Sequence, residues 1–89
     1  MEEKFIAVWE ENRAKAEKIG VRMRSMDVKT AKRTLSGSRL SDGFNELAAK
    51  GALKLSLEAL AIDKRFTALF TDDEANEALT RLLEAGYKF

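Results

Sequence analysis

The residues that invite chemistry lie close together. From Val21 to Arg39 the chain reads VRMRSMDVKTAKRTLSGSR, with six basic side chains and one acidic one. Arg22, Arg24, Lys29, Lys32, Arg33 and Arg39 are interleaved with the hydroxyls of Thr30, Thr34, Ser36 and Ser38. Cations hold phosphate oxygens by charge, while hydroxyls and free amides at helix N-termini add directional donors, so this is the composition of a phosphate-facing surface. Lys29, Lys32 and Arg33 stand at i, i+3 and i+4, which puts them on one helical face, away from Val28 and Leu35. Like charges at that spacing repel by about a few tenths of a kcal/mol each. An anionic partner would relieve this repulsion. A competing reading pairs the cluster with acidic helices elsewhere in the fold.

The whole-chain charge of +1 conceals this division. Residues 1–12 carry −3, residues 13–39 carry +7 and residues 40–89 carry −3. Such asymmetry bears on partners and association rather than on fold.

Other chemistries lack their reagents. The sequence has no histidine to act as a base near neutral pH and no cysteine nucleophile. Its acidic neighbours are Glu10-Glu11 and Asp72-Asp73-Glu74. Adjacent helical positions point in different directions, and the second group has a simpler role as a helix N-terminus. The carboxylates do not follow the spacing of a calcium loop, and no glycine-rich phosphate loop is present. The chain is therefore expected to be non-catalytic, with no metal and no cofactor.

The elements that must position the basic stretch are helical. Eighty-nine residues suit one domain with a modest core. Residues Glu2 to Ile19 form the first expected helix, with glutamates in its first turn, lysines in its last and Gly20 beyond it. Phe5, Val8, Trp9, Ala16 and Ile19 share its apolar side, interrupted by Asn12. A second helix is expected from Val28 to Leu35, capped by Asp27 or Ser25, and a third from Arg39 to Lys50, closed by Gly51. Gly43 inside that third segment costs about 1 kcal/mol relative to alanine and points to a close contact. Leu53, Leu55 and Leu57 alternate with polar residues, which is strand spacing, but a lone strand is marginal. A short extended segment over 52–57 is the most that spacing supports. Ser56 is instead expected to cap a helix running to Ile62, followed by a short turn of helix carrying Phe66, Leu69 and Phe70.

The last helix has the best local signal. Thr71 and Glu74 form a capping box, Phe70 and Ala75 suit a hydrophobic staple, and Gly86 with Tyr87 suits a Schellman ending in which Tyr87 packs on Leu82. The expected fold class is all-α, a small single-domain bundle of four to five short helices.

Residues 28–50 have the outline of a helix-turn-helix, two helices joined by SGS. The second helix would present Asp42 and Glu46 to phosphate, which argues against it. The preferred expectation is a non-catalytic nucleic-acid-binding or regulatory domain that contacts phosphates through Arg22, Arg24, Lys29, Lys32, Arg33 and Arg39. The alternative is a protein–protein interaction module, a small inhibitor or adaptor docking on an acidic protein surface. A phage- or mobile-element-encoded blocker would have this size. Trp9, Tyr87 and Phe89 would together suit a homodimer patch. No apolar run is long enough to span a membrane and no export signal is visible, so a cytoplasmic location is expected.

Overall fold

The computed structural model describes residues 1–37 and 40–87. Five α-helices occur among them: α1 (Glu2–Lys18), α2 (Val28–Ser36), α3 (Phe44–Ala49), α4 (Leu57–Ala61) and α5 (Asp72–Glu84). Two single turns of 3-10 helix, Leu53–Leu55 and Thr67–Leu69, flank α4. The described residues contain no strand, so the chain is a small all-α domain. No described helix is long and apolar enough to cross a membrane.

Local chemistry sets the helix ends. Asp27 accepts the amide of Thr30 at 2.8 Å and starts α2. The Ser56 hydroxyl accepts from the Ala59 amide at the start of α4, while donating to the Leu53 carbonyl at 2.7 Å. Thr71 and Glu74 exchange both bonds of a capping box at the start of α5. Helices α1, α3 and α5 finish alike: the amide two residues past the last cap bonds five residues back, Val21 to Ala16, Ala52 to Leu47 and Tyr87 to Leu82. Those three bonds complete Schellman endings around Gly20, Gly51 and Gly86.

The core is continuous. Trp9 and Phe5 from α1 are fully buried, and the Phe5 ring meets Phe66 and Phe70 edge-on at 5.4 and 5.7 Å between centroids. Helix α5 packs across both α2 and α4, with Ala78 and Leu82 inward. Asn12, which breaks the apolar stripe of α1, is buried with it, whereas Ile19 is exposed.

Two segments depart from the sequence pattern. The alternation Leu53-Leu55-Leu57 is not a strand but a 3-10 turn leading into a capped helix, with all three leucines buried. It lies against α1 and α3, and short helical turns let these side chains converge on the core without needing a sheet partner. Helix α3 starts at Phe44, five residues later than the spacing suggests, because Gly43 adopts φ 74°. A Cβ there would sit 2.8 Å from Val21 Cγ1, so the close contact foreseen at Gly43 is with the segment that follows α1. Leu40 consequently lies outside any helix and is 41% exposed instead of joining the core. With α3 reduced to six residues, the helix-turn-helix outline is lost.

Candidate anion-binding groove

Residues 21–27 link α1 to α2 without helical structure. Val21 and Met23 are buried while Arg22 and Arg24 are exposed, so the two arginines leave the same edge of the segment. Helix α1 holds this linker from beneath. The Trp9 indole N–H donates to the Arg24 carbonyl at 2.8 Å, and Arg13 Nε donates to the Met23 carbonyl at 2.7 Å. Arg13 Nη1 also donates to Glu10 and to the Ser25 hydroxyl. Arg13 is thus consumed in positioning the linker, and Trp9 serves as core with a polar handle rather than as part of a dimer patch. Phe89, the third aromatic of that patch, lies outside the described residues.

Beside the linker, α2 buries Val28, Ala31 and Leu35 and exposes Lys29, Thr30 and Arg33. Between this face, Arg24–Met26 and the segment Leu40–Asp42 runs an open groove of about 480 Å³. Arg24 and Arg33 stand over it, and Thr30, Thr34, Gly37 and Ser41 contribute polar atoms. Met26 and Leu40 supply apolar surface, and Asp42 supplies one carboxylate. Lys29 lies one turn before Arg33. Arg22 borders a separate depression with Arg13 and Glu17.

The remaining candidates separate. Lys32 does not share the outward face of Lys29 and Arg33. Its ammonium turns towards α5, donating to Glu74 at 2.7 Å and to the Leu69 carbonyl at 3.1 Å, 5.8 Å from the Phe70 ring centre. Lys32 therefore fits the competing reading, an internal partner of an acidic helix, because the capping box places Glu74 opposite it. Burial pushes the Glu74 carboxyl up, but the Lys32 ammonium and the Thr71 amide outweigh it and hold that group below the usual glutamate range. Arg39 lies outside the described residues.

The groove's far wall depends on residues that the sequence did not single out. Glu58 is 0% and Arg81 5% exposed, and their charges meet at 3.2 Å. Glu58 also accepts the Ser41 hydroxyl at 2.5 Å and the Ser41 amide at 3.3 Å. Arg81 donates to the carbonyls of Thr34 and Gly37 at the end of α2, where the Thr34 carbonyl also accepts the Gly37 amide, and to Glu77. One buried ion pair thus joins the end of α2, the 40–41 segment, α4 and α5. The only hint in the sequence is an arginine between Ala78 and Leu82, in the apolar stripe of α5.

Charge compensation is uneven across this surface. Among the described residues, Arg22, Lys29 and Arg33 make no ion pair. Arg24 is 90% exposed with Asp42 3.6 Å away, a contact without hydrogen-bond geometry. The Asp27 carboxylate is held below the usual range mainly by the Thr30 amide, so it is committed as a cap. No described group of three or more carboxylates is arranged to hold a metal ion. The groove can therefore attract an anion by charge and present it with apolar surface, while the hydroxyl protons of Thr34 and Ser41 are already given to the Thr30 carbonyl and to Glu58. Comparisons with family models, curated proteins and solved structures match this chain to none of them.

Proposed function

We propose that this chain is a non-catalytic binding domain whose α2–linker face contacts the phosphates of a nucleic acid. The observation that carries the proposal is the exposed set Arg22, Arg24, Lys29 and Arg33. Arg22, Lys29 and Arg33 make no ion pair among the described residues, Lys29 only lying near the capping carboxylate of Asp27. Solvated cations crowded in this way raise the local potential and favour a polyanion, whose counterions are released on binding. The absence of cysteine suits a reducing compartment, and the same proposal places the domain in the cytoplasm.

A second reading has an observation of its own. Met26 and Leu40 give the groove apolar surface of the kind an acidic protein segment could bury, which would make the chain an adaptor or inhibitor. Retrieval of the tagged chain from lysate, with and without nuclease treatment, separates the two. Nucleic acid that co-purifies and is lost with nuclease supports the first reading. A stoichiometric protein that survives nuclease, together with no retention of purified oligonucleotides, rejects it.

A further inference from the structure

The groove carries more information than its charge. Building on the nucleic-acid reading above, we propose that it seats one unpaired nucleotide of a single strand. The base lies against Leu40 and Met26, and the adjoining phosphates rest on Arg24 and Arg33. Three observations support this assignment.

The first is size. About 480 Å³ falls within the roughly 300–1,000 Å³ of small-molecule sites, enough for a single nucleotide. A paired and stacked base in a duplex cannot enter such a groove, whereas a single strand can splay one out. The second is chemistry. Leu40, 41% exposed and outside the core, offers an apolar face with guanidinium groups nearby. Unstacked bases stack on guanidinium planes, here those of Arg24 and Arg33, and Leu40 and Met26 add apolar surface beside them.

The third observation is that the walls are built before any ligand arrives. The Arg24 carbonyl is held by Trp9, those of Thr34 and Gly37 by Arg81, and Ser41 by Glu58. Lining groups already held in this way lower the ordering cost of binding. Asp42 works against the phosphate, since it borders the groove 3.6 Å from Arg24. Its removal should therefore favour a strand, whereas a basic ligand would lose by it.

The test uses the purified full chain with a labelled oligothymidylate and a blunt duplex of equal length, read by fluorescence anisotropy at about 50 mM salt. The single strand should bind about tenfold more tightly than the duplex. Leu40→Ser should weaken single-strand binding about fivefold, because part of one leucine side chain's burial is lost, while leaving duplex binding within about twofold, because backbone contacts do not involve Leu40. Asp42→Asn should tighten the single strand, which provides a second readout should Leu40→Ser disturb folding. Equal affinity for both forms, unmoved by Leu40→Ser, would overturn the seated nucleotide while leaving the basic face as a phosphate surface. Binding of neither form would remove the functional reading and this inference with it.

Discussion

Two sides of α2 carry the same residue types and use them in opposite ways. Towards α5, Lys32 meets Glu74 and Arg81 meets Glu58 and the end of the helix, so the charges are paired and partly or wholly shielded from water. Towards the groove, Lys29 and Arg33 are solvated and make no ion pair among the described residues. Lys32 and Arg33 are neighbours in the chain, and only the third dimension separates their roles. A charge that meets an opposite charge while losing water is fixed to the architecture, and one left in water beside like charges remains available to a partner. Counting cations therefore overstates a binding surface until those committed to the fold have been removed.

The strongest way to break this contrast is through the shielded side. Glu58→Ala removes the buried carboxylate from Arg81 and leaves it only Glu77, at 2.8 Å and partly exposed; a half-broken buried pair costs about 3–5 kcal/mol, and the remaining contact sets the expectation at the low end of that range. Urea unfolding of the variant should show a loss of that order. A loss below about 1 kcal/mol would mean that the pair is well hydrated and not a wall of the groove.

A smaller effect is expected where Lys32 meets Glu74. Lys32→Ala should cost about 1–2 kcal/mol, since the ammonium is half exposed. It should also alter the acid limb of the stability profile. The folded Glu74 carboxyl is held below its ordinary value near 4.5, so its contribution is complete above that pH and disappears as pH falls through the lower folded value. Asp27 and Asp63 are depressed in the same direction by the Thr30 amide and by Arg65, so acid sensitivity should persist in the variant with a smaller amplitude. Thermal melts at graded acidic pH measure that amplitude. An unchanged profile would mean that Lys32 contributes nothing to holding Glu74 ionised.

The same contrast explains what could be read in advance. Caps and helix endings were legible because each is decided within a few residues: Asp27 with Thr30, Ser56 with Ala59, Thr71 with Glu74, and the glycines that follow α1, α3 and α5. All-helical architecture follows from those signals plus apolar spacing. The start of α3 was misplaced because Gly43 is set by contact with Val21, more than twenty residues earlier in the chain. The leucines at 53–57 satisfied both a strand period and a turn, and burial against α1 and α3 decided between them. Of the candidate site, the exposure of Arg22, Arg24, Lys29 and Arg33 agrees with the sequence pattern. Pairing of the basic cluster with an acidic helix was weighed, but which residue it would take, Lys32, and the Glu58–Arg81 pair were not legible, because each joins residues that only folding brings together.

The most direct measurement is the salt dependence of nucleic-acid binding for the unaltered chain and for the double variant Lys29→Ala, Arg33→Ala. If Arg22, Arg24, Lys29 and Arg33 each meet a phosphate of oligothymidylate, log affinity should fall with log salt at a slope of about −2.8. The variant should bind more weakly with a slope shallower by about 1.4, while its unfolding free energy stays within about ±0.5 kcal/mol. An unchanged slope, or a variant that melts far lower than the parent, would contradict the claim that this side of α2 is reserved for a partner.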